Sequence, residues 1–418
     1  MNTSGVAPRD SASHFAIANM ATRTATLATL IILAVFSTGV QAVDRDVVVG
    51  GNVRFAFDLY QQLKADRNGE NIFMSPFSVS AVLAITYTGA RGETERQMAK
   101  TLHFALPPQR LLPAFAQLQD DLQRSNSYEL AIANRLWGQK GYPFLKDFLN
   151  LVDANYPRSF GDVDFRGNPQ GSRKTINRWV DENTNGKIKD LLRPSDIGVL
   201  SRLVLTNAIY FKGSWVSPFD PDYTVEKPFW LVDGNIVATR LMSQTGQFKY
   251  LDAETHELLE LPYAGDRLSM VVLSPRRGIK LELVEQILTA ENLHTWRSAM
   301  KETVVSIFLP QFETLTRFGL NDSLVALGMK NAFADPADFS GIAGKNDLYI
   351  SKVIHEAFVK VNEEGTEATA STAAATAVRG PKRRELIFRA DHPFVFVILD
   401  KQSGSILFLG RLMNPTKR

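Results

Sequence analysis

A tract of thirteen small residues followed by one arginine points most directly to chemistry. Residues 366–378 contain six alanines, four threonines, one serine, one valine and a single charge. Arg379 comes next and precedes Gly380. Such a tract is typical of protease bait, because a trypsin-like protease selects the side chain before the cut bond and its acidic pocket binds Arg or Lys. The alternative interpretation is a solvated linker of low complexity.

The position of this tract argues for a loop within a folded domain. About 40 residues follow it, and they contain two strongly apolar runs typical of strands, FVFVIL (394–399) and ILFLG (406–410). A long structureless loop inside a compact domain is usually functional or disordered. We therefore expect an exposed loop and not a joint between two domains.

Sequences on both sides of the tract, together with two upstream segments, closely resemble the serpin family. The matching segments are NIFMSPFSVSAVLAITYTGARGETERQM (71–98), LTNAIYFKGSWVSPF (205–219), ISKVIHEAFVKVN (350–362), EEGTEATA (363–370) and DHPFVFVILDKQSGSILFLGRLMNP (391–415). They occur in the family's order and spacing, and the resemblance spans about residues 44 to 416. Several long motifs in register are a more specific signal than one short pattern.

The resemblance implies an α+β fold in which large mixed β-sheets are surrounded by helices in one large domain. The predicted organisation is a signal peptide over 1–42, a serpin domain over 43–418 and an exposed reactive-centre loop over about 363–390. The implied function is suicide-substrate inhibition, not enzymatic catalysis: a protease cuts the loop and is trapped as an acyl-enzyme when the loop inserts into the main sheet. The expected partner is a trypsin-like serine protease, held covalently by a monomeric inhibitor.

The resemblance also locates the bond that the protease would cut. In inhibitory members of the family, the residue before this bond lies sixteen positions after the first glutamate of the hinge. Counting from Glu363 reaches Arg379, so the predicted reactive bond is Arg379–Gly380. Gly380 is small and offers no steric obstacle to the protease.

A basic cluster follows the predicted reactive bond and consists of Lys382, Arg383 and Arg384. One interpretation is an exosite that contacts an acidic patch on the protease and speeds encounter. A second is a set of alternative cleavage sites, and a third is a solvated run of charge. The sequence leaves these three interpretations open.

The predicted hinge explains why its residues are small. The hinge residues are Glu363, Glu364, Gly365, Thr366, Glu367, Ala368, Thr369, Ala370 and Ser371. An inserting strand points alternate side chains into a closed core, and every even-numbered residue from Thr366 to Thr376 is Thr or Ala. Glu367 has the other parity and is expected to face outward, because an unpaired buried charge is strongly unfavourable. Gly365 permits the backbone to pivot.

Supporting positions in the body of the domain are also implied by the resemblance. The shutter of the main sheet is matched by Ser75, Ser78, Asn207 and His355. The breach, where insertion of the loop begins, is matched by Trp215. His355 is interpreted as a buried histidine that bonds Asn207, not as a catalytic residue; the alternative for Trp215 is an ordinary core aromatic. The family often pairs the hinge glutamate with a lysine, but Gln311 occupies that place, so Glu363 is expected to lack its cation.

Composition excludes several classes of function. Cysteine is absent, which excludes disulfides, thiol catalysis and cysteine-based metal sites. The formal net charge is +3, and it becomes +2 without residues 1–42, which carry two arginines and one aspartate. This charge is too small to indicate nucleic-acid binding. The sequence has no G-x-S-x-G, P-loop or H-E-x-x-H motif, so we expect no enzymatic site and no metal or other cofactor.

A secretory leader is predicted at the N-terminus. Arg23 precedes an apolar run at 27–40, and Val40-Gln41-Ala42 supplies a small-x-small cleavage site. The run of about 14 residues is short for a membrane span. Initiation at Met20 would leave a 23-residue leader. We expect a secreted protein, extracellular or periplasmic, without a membrane contact after cleavage; the alternative is an uncleaved anchor.

Hydrophobic periodicity predicts the helices of the domain. Helices are predicted over residues 52–64, 78–90, 111–122 and 172–183. A further helix is predicted to begin at a capping box formed by Thr94 and Gln97.

Two further strands and one turn are predicted from the pattern of apolar residues. The run LVLTNAIYF (203–211) predicts a central strand buried on both faces. Residues 353–361 alternate, which predicts a strand with one face inward, the face that carries His355. DKQSG (400–404) between two apolar runs predicts a hairpin turn.

Two other functions stay open at this point. The first is a non-inhibitory serpin, a carrier or a chaperone, although such proteins often carry bulky or charged hinge residues. The second is inhibition of papain-like cysteine proteases by the same loop.

Overall fold

The computed structural model describes residues 1, 42–366 and 386–417. Of the predicted signal peptide, therefore, only Met1 and Ala42 fall within the described residues. The α-helices are α1 (42–66), α2 (Pro76–Tyr87), α3 (Gly92–Thr101), α4 (Pro108–Gln123), α5 (Lys146–Asn155), α6 (Pro169–Asn183), α7 (Leu281–Gln286), α8 (Ala290–Ala299), α9 (Asn321–Ala326) and α10 (Ser340–Ala343). Short 3-10 helices occur at Pro221–Tyr223 and Asn331–Phe333.

The strands belong to two large sheets. They are β1 (Ile72–Met74), β2 (Tyr128–Gln139), β3 (Phe160–Val163), β4 (Leu203–Ser214), β5 (Val225–Trp230), β6 (Ile236–Asp252), β7 (His256–Pro262), β8 (Leu268–Pro275), β9 (Lys301–Pro310), β10 (Phe312–Gly319), β11 (Lys352–Val361), β12 (Gly365–Thr366), β13 (Leu386–Arg389), β14 (Phe394–Asp400) and β15 (Ile406–Leu412).

The main sheet has the strand order β10-β11-β12-β4-β2-β3. Strands β11 and β4 also pair directly and in parallel, from Lys352 opposite Val204 to Phe358 opposite Tyr210. We call this direct pairing the seam. The two-residue strand β12 lies between β11 and β4 just beyond one end of the seam and is antiparallel to both.

The second sheet follows the order β1-β15-β14-β8-β7-β6-β9-β13, with β5 paired to β6. Strands β14 and β15 form the antiparallel hairpin that residues 400–404 predict. The turn contains Gly404 with a φ of 77°, a conformation that glycine adopts without strain. Strand β13 begins the described chain after the loop and pairs in parallel with β9.

Helix α2 lies between the two sheets, and all of its residues are buried. It packs against β4 and β2 on one side and β15 on the other. A helix that is apolar all round is stable only inside a core, which explains the composition of residues 76–87. Its first turn is capped by the Ser75 hydroxyl, which accepts a hydrogen bond from the backbone N–H of Ser78. The mixed sheets and the helices around them confirm the predicted α+β class.

Strand β11 is buried on both faces, which corrects the prediction of a strand with a single inward face. Ile354 on its outer face is fully buried in a second apolar cluster that contains Ile176 of α6 and Leu191 of the following segment. The alternation of residues 353–361 did not reveal this cover, because α6 and the segment after it are distant in the chain. Helix α6 and the segment after it therefore cover the outer face of the main sheet at the seam.

The predicted helices occur, but their first residues differ. Prolines at the first helical positions of α2, α4 and α6 begin these helices two or three residues earlier than predicted. The predicted capping box is wrong: Thr94 lies inside α3, and its hydroxyl accepts a hydrogen bond from the backbone N–H of Asp338. A tertiary contact therefore uses the hydroxyl that a local motif would have used.

In the described part of the chain, no helix combines the length and the apolar character needed to cross a bilayer.

Candidate functional site

The candidate site begins where the predicted reactive loop leaves β11. Gly365 and Thr366 form β12: Thr366 lies opposite Val361 of β11 and Gly213 of β4, and Gly365 lies opposite Ser214. The first two residues after the hinge glutamates are thus already part of the main sheet. Residues 367–385 lie outside the described residues, and they include the predicted hinge residues from Glu367 to Ser371, the Arg379–Gly380 bond and the cluster Lys382–Arg384.

Thr366 is buried among aromatic residues, with 0% of its surface exposed. Its Oγ1 lies 2.8 Å from the hydroxyl of Tyr263, with which it shares a hydrogen bond. Tyr263 stacks on Trp215 with 4.5 Å between ring centroids. The side chain at this position therefore points into the core, in a space that fits threonine.

Trp215 holds the chain at the start of the hinge, on both sides of Glu363. Its backbone N–H donates to the carbonyl of Glu364 (2.8 Å), and its indole Nε1 donates to the carbonyl of Asn362 (3.1 Å). The side chain of Asn362 accepts from the backbone N–H groups of Glu364 and Gly365, which forms an Asx turn. The predicted breach tryptophan therefore lies directly against the residues that begin the loop.

Gly365 approaches β4 so closely that a side chain does not fit. Its φ is 152°, and a Cβ at this position would lie 2.1 Å from the carbonyl oxygen of Gly213. Two strand backbones meet here, and only glycine permits both the approach and this conformation.

Glu363 has a polar anchor, which corrects the expectation that it lacks a cation. Gln311, in the place of the family's lysine, donates from Nε2 to Glu363 Oε2 at 2.6 Å. Arg240 of β6 places a guanidinium nitrogen 3.9 Å from Glu363 Oε1. The sequence concealed this pair because residues 240 and 363 are far apart in the chain and meet only where the two sheets adjoin.

Four of the predicted supporting residues converge at the middle of the seam. His355 of β11 lies directly opposite Asn207 of β4. The backbone N–H of Ser75 donates to His355 Nε2 (3.0 Å), which leaves Nδ1 to carry the proton and donate to Asn207 Oδ1. The amide of Asn207 donates to the hydroxyl of Ser78 (2.5 Å) and to Asn134 of β2. Separation of β11 from β4 must break the His355–Asn207 bond.

Burial keeps His355 uncharged. It lowers the pKa of this side chain from its ordinary 6.5 to about 3, so the imidazole is neutral at pH 7. A neutral ring is needed here, because Nε2 must accept from Ser75 while Nδ1 donates to Asn207. Both ring nitrogens are therefore engaged in hydrogen bonds that join the seam to the start of α2.

Glu356 lies on the opposite face of the seam. Burial raises its pKa from 4.5 to about 7, although Arg317 on β10 and Arg193 on the segment after α6 oppose the rise; Asp190 adds to it. Between these two pKa values the unfolded chain releases a proton that the folded protein keeps. Rising pH therefore favours unfolding across pH 4.5 to 7, by on the order of 3 kcal/mol at completion.

We expect Glu356→Gln to remove this pH dependence. The variant should gain stability relative to the parent as pH rises from 5 to 8, because glutamine has the same shape and does not ionise. Urea unfolding midpoints at the two pH values measure the difference, and the exposed Glu182→Gln on α6 is the matched control. A stability difference between variant and parent that is the same at pH 5 and pH 8 would contradict the assignment.

Three residues that sequence reasoning missed complete the site, namely Asn134, Arg240 and Tyr263. None carries a local signal, because each contacts the hinge or the seam from a distant segment: Asn134 lies on β2, Arg240 on β6 and Tyr263 directly after β7. Asn362 is another omission, but the order Asn-Glu-Glu-Gly is typical of an Asx turn and could have been recognised. Together these residues hold the hinge and the seam from four different segments of the chain.

Comparison with known proteins identifies the family. The family described as Serpin (serine protease inhibitor) matches residues 50–415. Leukocyte elastase inhibitor from Bos taurus is 42% identical over 375 residues, which cover 87% of this chain and 98% of that protein. An uncharacterized serpin-like protein from Thermococcus kodakarensis is 40% identical over 372 residues, which cover 88% of this chain and 86% of that protein.

Solved structures agree with this match. Uncleaved ovalbumin superposes with a TM-score of 0.81 at 31% identity, covering 88% of this chain and all of that one. Thyroxine-binding globulin in complex with thyroxine superposes with a TM-score of 0.79 at 30% identity, covering 89% and 99% of the two chains. Serpins are mostly protease inhibitors and not enzymes. On the family match and on relatives of 40% and 42% identity across most of the chain, this protein belongs to the serpin family.

Proposed function

We propose that this protein is a secreted suicide-substrate inhibitor of trypsin-like serine proteases. The protease cuts after Arg379, and the acyl-enzyme is trapped when the loop inserts between β11 and β4. The observation that carries the proposal is the position of β12 beyond the end of the seam, where Thr366 already pairs with both β11 and β4 and Gly365 pairs with β4. Insertion of the loop would lengthen β12, which is already in place.

The register of β12 supports insertion of the small residues. Thr366 lies opposite Val361 and Gly213, so continuing the two antiparallel ladders would bring Thr372 between His355 and Asn207. Every inward position from 366 to 376 is Thr or Ala, which the buried face can accept. The threonine hydroxyl would also supply a polar group where the His355–Asn207 bond is broken.

The pairing at the seam gives a reason why insertion of the loop would stabilise the cleaved protein. Seven residue pairs now form one parallel ladder, from Lys352–Val204 to Phe358–Tyr210. Insertion would replace it by two antiparallel ladders, which contain more backbone hydrogen bonds of slightly better geometry. The uncut protein is then held by kinetics, because the seam must open before the new ladders form.

The reach of the loop is sufficient for trapping. Fourteen residues from Gly365 to Val378 extend about 46 Å at ~3.3 Å each. A protease joined to residue 379 would be carried along the whole main sheet, and the pull on its acyl linkage would distort its active site. Deacylation needs an intact base and oxyanion hole, so it would stall.

Arginine at position 379 supports a trypsin-like target. A buried aspartate in the specificity pocket binds the guanidinium through charge-assisted, bidentate hydrogen bonds. Secretion is proposed from the leader pattern of residues 1–42, which places the inhibitor where extracellular or periplasmic proteases act.

A carrier without inhibitory activity is the second candidate. The likeness to thyroxine-binding globulin, solved with thyroxine, favours it. The small side chains of the hinge argue against it, because a carrier has no need of a loop that can enter the sheet.

An adduct assay with trypsin tests the proposal. The purified protein should form an SDS-resistant complex with trypsin at near one-to-one stoichiometry. Protein nicked in the loop should also melt higher by more than about 10 °C, because two antiparallel ladders replace the single parallel ladder of the seam. Clean cleavage without an adduct and with an unchanged melting temperature would favour the carrier.

A further inference from the structure

A cleft unrelated to the seam lies where the second sheet meets the turn before α7. Its volume is about 730 Å³, within the range of small-molecule sites. An adjoining cavity of about 410 Å³ shares Trp230, Arg277 and Asp391 with it. The walls come from the turn between β5 and β6, the segment from Pro275 to Leu283 and the residues that follow β13. We call this space the Trp230 cleft.

The Trp230 cleft gathers several exposed apolar side chains in one concave surface. Trp230 is 46% exposed, and Val232 and Leu283 are each more than half exposed. All three line the larger cavity. Large apolar side chains that line a concavity favour a ligand with an apolar body, because burial of both surfaces is favourable.

The charged groups of the cleft favour an anion. Five cationic side chains line the two cavities, namely Lys227, Arg276, Arg277, Lys280 and Arg389, against two carboxylates, Glu282 and Asp391. Arg276 is paired with Asp252 outside the lining, which still leaves an excess of positive charge. A rim with this imbalance attracts an anionic group and disfavours a cationic one.

A buried carboxylate organises the cationic wall. Asp391 is 5% exposed and lies 3.3 Å from the guanidinium of Arg277 and 3.9 Å from that of Arg389. Arg389 in turn stacks on the ring of Phe308, with its Cζ 3.8 Å from the centroid. His392 Nδ1 lies 3.1 Å from the same carboxylate. Asp391 and Phe308 therefore hold the guanidinium group of Arg389 before any ligand arrives, and Asp391 also pairs with the more exposed Arg277.

We propose that the Trp230 cleft binds a small amphipathic anion, with an aromatic or aliphatic body and one carboxylate or sulfonate group. The body lies against Trp230 and the apolar wall, and the anionic group meets Arg277 at the mouth, where that side chain is largely exposed. This site is independent of the proposed inhibitory function, since neither the hinge nor the seam contributes to it.

Calorimetric titration with naphthalene-2-sulfonate tests the proposal, with neutral naphthalene-2-methanol as the matched ligand. We expect saturable one-site binding of the sulfonate, and weaker binding of the alcohol. Trp230→Ala should weaken both ligands by at least about tenfold, because it removes the aromatic wall. Arg277→Gln should weaken only the sulfonate, by about fivefold or more.

Two control variants match the changed residues. Arg124→Gln removes an ion-paired arginine of similar side-chain exposure just after α4 (74%, against 77% for Arg277), and Leu200→Ala removes an exposed apolar side chain outside the cleft. Both should bind the sulfonate as the parent does.

If Trp230→Ala does not fold, Arg277→Gln decides by itself. Absence of saturable binding at millimolar sulfonate, or equal binding by Arg277→Gln and Arg124→Gln, would overturn the proposal. The trypsin adduct is a separate measurement, so failure of one proposal does not imply failure of the other.

Discussion

Replacement of Thr366 by arginine is expected to convert the protein from an inhibitor of trypsin into a substrate. Thr366 is fully buried, and its hydroxyl bonds Tyr263 within the stack on Trp215. An arginine has no partner in this space, and burial of an unpaired charge costs several kcal/mol. The side chain must therefore stay outside the sheet, so the first step of insertion is blocked while the loop remains available for cleavage.

The measurement is the stoichiometry of inhibition together with an SDS gel. Thr366→Arg should require at least about ten molecules per trapped trypsin, because a barrier higher by 1.4 kcal/mol already favours deacylation tenfold. Thr366→Ser, which keeps the hydroxyl and the small size, should stay near one-to-one. Glu367→Arg is a matched control at the neighbouring position of outward parity and should still trap trypsin. If Thr366→Arg forms the adduct as efficiently as Glu367→Arg, the insertion mechanism is wrong.

Replacement of Arg379 by leucine is expected to lower the rate of trypsin inhibition by about 10³-fold. Two charge-assisted hydrogen bonds to the aspartate of the protease pocket are lost, each worth roughly 2 kcal/mol. The apolar side chain should instead favour proteases with a hydrophobic pocket, such as chymotrypsin. Second-order inhibition rates with the two proteases measure the exchange of preference.

Arg379→Lys is the conservative control for this experiment. It keeps the cation and should retain most of the inhibition of trypsin, with a loss that reflects the missing planar fork of the guanidinium. N-terminal sequencing of the peptide released from the parent should begin at Gly380. Unchanged trypsin inhibition by Arg379→Leu would instead assign the bait to the cluster Lys382–Arg384. The position of the reactive bond sixteen residues after Glu363 would then be wrong.

Local sequence pattern predicted much of the architecture that holds the loop. The central strand, the α2 helix and the hairpin at residues 400–404 depend on short-range signals such as apolar runs and a polar turn that ends in glycine. These signals act within a few residues, so they are readable without a fold. The capping box at Thr94 failed for the same reason, because a hydrogen bond from Asp338 competes with the local motif.

The polar contacts of the candidate site were less accessible to prediction. Resemblance to the serpins pointed to His355 and Asn207, and the structure adds Asn134 and the direction of each hydrogen bond. The anchor of Glu363 was expected to lack a cation, yet Arg240 lies 3.9 Å away. Glutamine at position 311 indicates, in the sequence, that the positive charge next to Glu363 is lost. In the structure, Arg240 of β6 supplies another positive charge.

The order of residues alone determined that the chain carries a small-residue arm ending in Arg379 and that its flanks match the serpins, because side-chain size, charge and spacing are properties of the chain itself. Only the tertiary structure decided that β12 already pairs with β11 and β4, that Glu356 is buried beside the seam and that Trp230 faces a cationic cleft. Each of these depends on segments more than a hundred residues apart, and burial and pairing between such segments arise only when the two sheets close around α2.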